Sequence, residues 1–455
     1  MPELTAEADL DAPQIVVTVD AHIGPRLKED LRPYCPKKYL GEYDDFVRAY
    51  EPHSDPFAVF TAIGKGVDAE QAPGAAALFR ALRGNACAGH HDVHERLRDM
   101  DRDGVAAEVI YHGSQNGQCF PFLNTAAGTF NALVFSPVAS AHELELAAVG
   151  QRMYNKWLAD QCSVEPERHA GLAHLPMWDI EEATAELERA SSAGLRGINF
   201  PAPKLGIKPY DDPQWERFWS ACEERGMTLC THDGAGIDDV SVHAPHSSLV
   251  AQMEELQRKL LPRMIFGGLF DRHPSLRLVL TELQQPLTTW WTQTAARYDE
   301  LWEANYRRLS PQVPRKPSEY LRSNVFLGQS LLHLLPQEVT AAVRDGYGPN
   351  ILWGSDYPHM EGSFRHPARD DEETMTSLAL RHAFSAIPPA LASGMAGEHA
   401  IDVYGLDRGK LAAVARRIDA LTARRLGTPL ETVPREWALI ADWHVFPEYH
   451  QHTAA

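Results

Sequence analysis

Five polar residues in this chain each stand where an apolar run stops. Asp20 and His22 follow the β-branched run 15–19, His232 ends the run 227–231, and Glu282 ends the run 276–281. Asp356 follows Ile351-Leu352-Trp353 across a small-residue turn, and Pro358 forbids the run to continue. In an extended segment residues i and i+2 share a face, so Asp20 and His22 can point into one site. Two imidazoles and three carboxylates brought together would repel one another and lose their hydration unless a cation sat among them. The chemistry is then that of a metal ion, which polarises a bound oxygen or acidifies bound water. A lone strand-end histidine or aspartate is more often a turn cap or a satisfied core group, and only their joint occurrence lifts these residues above that reading.

The elements that must position them recur along the chain. Apolar runs predict strands at 15–19, 105–111, 170–176, 195–200, 227–232, 276–282, 324–328 and 350–356. Helical patterns separate most of them, among them 143–161, 180–191, 213–225, 286–306 and 336–345. Alternating strands and helices imply a parallel sheet. Eight such units predict an α/β fold, a (β/α)8 TIM barrel whose C-terminal strand ends converge around one axis. A doubly wound dinucleotide-binding sheet lacks support, because no Gly-x-Gly-x-x-Gly follows a strand. Residues 26–100 read as a long insertion after strand one, with helices at 75–82 and 91–100, and 376–385, 389–404 and 410–425 as a helical C-terminal extension. Residues 1–13 are expected to be a disordered tail and 14–425 the barrel. The tail 426–455 carries Trp437, Trp443, Phe446 and Tyr449, and is expected to pack on the barrel or on a second subunit, which points to a homodimer. His90, His91 and His94 have helical spacing, but their charged neighbours make a solvated face rather than a metal cluster.

Composition narrows the partners. The 455 residues carry a net charge of -19 with no basic cluster, which argues against nucleic acid and anionic membrane as partners. The 6 cysteines are scattered without disulfide spacing, as in a reduced cytoplasm. Residues 1–13 lack the apolar core of a signal peptide, and no apolar run approaches about 18 residues, so a cytoplasmic location is expected.

Four segments carry a resemblance: Leu97-Arg98-Asp99-Met100-Asp101-Arg102-Asp103-Gly104, Tyr210-Asp211-Asp212-Pro213-Gln214-Trp215, Gly268-Leu269-Phe270-Asp271-Arg272-His273-Pro274 and Gly354-Ser355-Asp356-Tyr357-Pro358-His359. With the strand-end residues, they make the chain similar, from residue 15 to about 425, to the amidohydrolase-related branch of the amidohydrolase superfamily, which contains hydrolases and non-oxidative decarboxylases. Carried over by position, the family's strand-one His-x-His falls on Asp20 and His22, its strand-five histidine on His232, its strand-six histidine on Glu282 and its strand-eight aspartate on Asp356. The chain therefore departs from the pattern at Asp20 and at Glu282.

The resemblance implies that Asp20, His22, His232, Glu282 and Asp356 are the metal ligands. One divalent ion among three carboxylates leaves a net negative site, whereas two ions and a hydroxide balance it. A binuclear centre of Fe, Zn or Mn is therefore expected. Lys204 lies beyond Pro201 and Pro203, so no strand-four lysine offers a carbamate bridge. The expected reaction is hydrolysis of a small acyl substrate, a thioester first and otherwise an ester or amide, with Asp356 as proton shuttle assisted by His359. His112, His174, Phe120 and Phe122 are expected to line the substrate pocket. The alternative is a non-oxidative decarboxylase of an aromatic or enoic acid, against which the missing strand-six histidine counts. A non-catalytic barrel is the third reading.

Overall fold

A computed structural model describes residues 10–51, 87–122, 140–203, 206–232, 259–282, 287–306, 313–330, 334–359, 362–364 and 373–434. The expected helix at 75–82, the segment 1–9 and the four aromatic residues of the C-terminal tail lie outside the described residues.

Eight parallel strands follow one another in chain order: β1 (Val17–Ile23), β2 (Ala107–His112), β3 (His169–His174), β4 (Gly197–Asn199), β5 (Thr228–His232), β6 (Leu278–Thr281), β7 (Val325–Gln329) and β8 (Ile351–Trp353). Between β8 and β1 the ring is closed by the parallel bridge Ala21–Tyr357 and by hydrogen bonds from the Asp356 N–H to the Asp20 carbonyl (2.8 Å) and from the His22 N–H to the Tyr357 carbonyl (2.5 Å). The architecture is the (β/α)8 barrel read from the sequence.

The helices are set by local chemistry. Helix α1 (Leu40–Tyr50) belongs to the insertion. Helix α2 (Val93–Asp103) starts on Asp92, whose carboxylate accepts the N–H groups of His94 and Glu95, and stops at Gly104 with φ +74°. Helix α3 (Ala141–Cys162) opens with a capping box between Ser140 and Glu143, and α4 (Ile180–Ser192) is capped by Asp179. Helices α5 (Glu216–Glu224), α6 (Leu287–Leu301), α7 (Pro317–Asn324) and α8 (Pro336–Arg344) continue the outer ring. Beyond β8, α9 (Met375–Phe384), α10 (His399–Tyr404) and α11 (Arg408–Arg417) form the helical extension.

Two cores result. Val17, Val19, Val109, Leu172, Cys230, Val279 and Leu352 fill the barrel interior, continuous with Ile401, Val403, Leu411 and Val414 of α10 and α11. The opposite strand faces, including Ile110, Ala173, Ile198, Leu229, Leu280 and Trp353, pack against the helices. With the interior filled by apolar layers, the C-terminal strand ends are where the charged groups of the mouth gather.

Candidate metal centre

The site begins with an irregularity in β1. Val17 pairs with Ala107 and Thr18 with Glu108, but Ala21 pairs with Ile110, so one extra residue is accommodated between them. The Thr18 hydroxyl stabilises this bulge, donating to the Asp20 carbonyl (2.8 Å) and accepting the Asp20 N–H (3.3 Å). Val17 and Val19 face the barrel interior. Strict alternation would therefore send Asp20 and His22 outward. The bulge re-aims both into the mouth, a common use of an extra residue beside a functional site.

Two backbone kinks complete the set. Glu282 and Asp356 follow β6 and β8 with φ of +60° and +55°, the left-handed region that non-glycine residues enter at a cost of about 1–3 kcal/mol. The Glu282 N–H is held by the Gly328 carbonyl (2.9 Å) and the Asp356 N–H by that of Asp20 (2.8 Å). Gly354 makes the seam possible, since a Cβ there would lie 2.5 Å from the Asp20 Cβ.

All five expected ligand residues converge, and all are buried. His22 Nε2 lies 3.2 Å from both Asp20 Oδ1 and Asp356 Oδ1, and His232 Nε2 lies 3.4 Å from Asp20 Oδ1 and 3.5 Å from Glu282 Oε2. An ion with bonds of about 2.1 Å sets adjacent ligand atoms about 3.0 Å apart in an octahedron and about 3.4 Å apart in a tetrahedron. The observed spacings are those of coordination-polyhedron edges. His22 Nδ1 faces the His112 carbonyl at 3.3 Å, which leaves Nε2 as the nitrogen turned toward Asp20 and Asp356. Apart from the facing imidazoles, neither oxygen of Asp20 or of Asp356 has a hydrogen-bond donor among the described residues. Buried polar atoms in that condition call for a partner, and a cation satisfies them all.

The groups form three overlapping triads: Asp20–His22–His232, His22–Asp356–His359 and Asp20–Glu282–Asp356. Burial by itself would raise the Asp20 carboxyl, but the facing imidazoles of His22 and His232 outweigh it and hold the carboxyl below the usual range. Burial likewise raises Asp356, and His359 and His22 outweigh it, so Asp356 too stays ionised. His359 was expected to assist Asp356, and its Nδ1 lies 2.9 Å from Asp356 Oδ1 while its Nε2 donates to the Gly113 carbonyl (2.6 Å).

The residues expected to line the pocket separate. His112, Phe120 and His174 join Tyr154 in one packed ring cluster, with Phe120 and His174 centroids 4.8 Å apart. Burial drives the His174 imidazole down to about 3 and the His112 imidazole well below its ordinary value, so both are neutral. Phe122 packs instead on Tyr43 and Phe46 of α1. Among the described residues, His90, His91 and His94 do not enter a metal-holding group.

Sequence reasoning missed a buried network behind the site. Arg96 donates to both oxygens of Glu108 (2.6 and 2.7 Å), and His169 Nδ1 lies 2.9 Å from Glu108 Oε1. The available signal was Glu108 itself, a charge inside an otherwise apolar run.

The model of a known family, described as amidohydrolase, matches residues 90–406. The chain belongs to the amidohydrolase family. Among its relatives, a gamma-resorcylate decarboxylase from Rhizobium sp. (strain MTP-10005) is 27% identical over 280 residues, covering 58% of this chain and 76% of the relative. A second, from Polaromonas sp. (strain JS666 / ATCC BAA-500), is 26% identical over 307 residues, covering 64% and 84%. A 5-carboxyvanillate decarboxylase from Novosphingobium aromaticivorans, solved with bound manganese, superposes with a TM-score of 0.56 at 17% identity, covering 86% of this chain and 97% of that one, which shows the shared barrel.

These relatives correct the expected activity. They are decarboxylases, so acyl hydrolysis, and with it the thioesterase reading, does not stand. The clustered carboxylates and imidazoles fit a divalent metal, as expected. The error has a physical source: an acidic metal cage serves equally to activate water or to hold a substrate carboxylate. Glu282 alone was too little to choose between them. As to location, no described helix is long and apolar enough to cross a membrane.

Proposed function

We propose that this protein is a metal-dependent, non-oxidative decarboxylase of an aromatic carboxylic acid. The observation that carries the reading is the cage of Asp20, His22, His232, Glu282 and Asp356 at the barrel mouth, in a chain whose relatives are named for this reaction. In the reaction the bond from ring carbon to carboxylate breaks, carbon dioxide leaves, and the ring carbon keeps the electron pair and takes up a proton.

A divalent ion, when bound, supplies the positive charge that anchors the substrate's oxygens and offsets negative charge developing on the ring. Asp20, His22, His232 and Asp356 would hold it, with Glu282 beside them. Charge supports a pair of ions. Three carboxylates and a substrate carboxylate total −4, which two divalent ions balance and one does not. We read Asp20, Glu282 and Asp356 as the ligands of the second ion, and manganese as the metal, by analogy with the similar structure.

The proton is held by the Asp356–His359 pair. A carbonyl only accepts, so His359 Nε2 carries a hydrogen toward Gly113, and the mobile proton lies between Nδ1 and Asp356 Oδ1. That pair delivers it to the ring carbon as general acid. Phe120 and the neutral imidazoles of His112 and His174 form the wall behind.

The test is carbon dioxide release by metal-free and Mn-loaded protein on a panel including 2,6-dihydroxybenzoate and 5-carboxyvanillate. Metal-dependent release from at least one aromatic acid is expected. Hydrolysis of esters with no release from any acid would overturn the reading.

A further inference from the structure

We propose that Arg96 is a positioning residue for the metal centre: it fixes the β1–β8 seam, and with it His22 and Asp356, in the geometry that grips an ion. The inference rests on the reading of those two residues as metal ligands. The seam is the joint of the barrel where strand pairing is thinnest, since among the described residues β1 and β8 are joined by one bridge beyond the end of β8 rather than by a ladder. Two ligand residues sit on opposite sides of it, so their separation depends on whatever braces the joint.

Arg96 braces it from both sides. The side chain is fully buried. One nitrogen, Nη1, donates to the His22 carbonyl (2.7 Å) and to the Gly89 carbonyl (3.2 Å), while Nε and Nη2 engage Glu108 on β2. The guanidinium lies 4.7 Å over the ring of Tyr357, the residue after Asp356. Tyr357 in turn donates its hydroxyl to Asp99 (2.7 Å), one turn along α2 from Arg96. Helix α2 thus grips the β1 end through Arg96 and the β8 end through Arg96 and Asp99. Part of the resembling segment 97–104 acquires a role this way.

Stability alone is a weak account of such a residue. A buried ion pair loses hydration that its mutual attraction often only matches, and apolar residues of similar volume do as well or better. Here the planar guanidinium satisfies carbonyls and carboxylate at fixed angles while stacking on a ring, which an ammonium or an apolar side chain cannot do together. Rigid support behind a ligand is what sets metal affinity.

The experiment is calorimetric titration of metal-free protein with Mn2+, and with Zn2+ in parallel, for wild type, Arg96→Lys, Tyr357→Phe and Leu187→Ala, a core cavity on α4 outside the seam. Arg96→Lys is expected to weaken metal binding at least tenfold and Tyr357→Phe at least threefold, with native circular dichroism. Leu187→Ala is expected to lower Tm and leave affinity within twofold. Should Arg96→Lys not fold, Tyr357→Phe decides. Unchanged affinity in the folded seam variants, or an equal loss in Leu187→Ala, overturns the proposal while leaving the metal reading intact. A wild type that takes up neither ion removes both.

Discussion

His22 and His359 lie stacked, ring centroids 3.9 Å apart and planes within 10°, and both present a ring nitrogen to the same oxygen, Oδ1 of Asp356. One imidazole comes from β1 and the other from the turn after β8, so the pair exists only once the barrel has closed. In the proposed function the shared oxygen divides the work: His22 faces the cation side of Asp356, and His359 the proton side.

Replacing His359 should therefore separate the two roles. His359→Asn is expected to lower kcat for decarboxylation about a hundredfold, the usual worth of a positioned general acid, with KM and metal content unchanged. Asp356→Asn should remove turnover and most of the bound metal together, because it serves both sides. Steady-state kinetics beside metal analysis checks this; metal lost from His359→Asn would make that residue a ligand instead.

Removing the metal should cost stability. Exhaustive chelation is expected to lower Tm, and Mn2+ at about a hundred times its Kd should return about 2.7 kcal/mol, because the ion binds the folded cage and not the open chain. Thermal melts with and without ion measure it. A Tm indifferent to metal speaks against a cage of five buried groups.

Glu282 is one of the two positions, with Asp20, where the chain departs from the pattern of the family it resembles, and in the proposed function the count of ions follows from it. Wild type is expected to bind two divalent ions per chain and Glu282→His one, since the substitution removes a charge from the Asp20–Glu282–Asp356 triad. Metal analysis after gel filtration reads the number directly. One ion in wild type would refute the pair and spare the single site.

His174 should make the protein acid-sensitive. Burial lowers its folded pKa from 6.5 to about 3. Between those values the unfolded chain takes up a proton that the folded one refuses, so stability is complete above about pH 6.5 and falls as pH drops toward 3. At pH 5 this group accounts for roughly 2 kcal/mol of loss. His174→Phe is expected to flatten that part of the curve in urea melts at pH 7 and pH 5. An unchanged slope would assign the acid sensitivity to other groups.

Much of this was legible in the sequence because it depends on short-range pattern. Apolar runs separated by helical periods gave the eight strands, and a polar residue at the end of a buried run marks a position that water or a ligand must reach. Asp20, His22, His232, Glu282 and Asp356 were found that way, and the structure brings them together. The reaction was misread from Glu282, because one residue's charge says how much cation a site can hold and not what the cation does.

Tertiary structure alone decided the rest. Period two says that Asp20 and His22 share a face, but the extra residue beside Thr18 decides that the face is inward. No composition signal announces the left-handed turns that aim Glu282 and Asp356, because each is held by a carbonyl from a neighbouring strand. The bracing of the seam by Arg96 joins residues far apart in the chain, His22, Glu108 and Tyr357, around one guanidinium. A sequence lists which groups are available and how neighbours alternate. Which of them meet, and in what conformation, is set by contacts between distant segments that form only when the barrel closes.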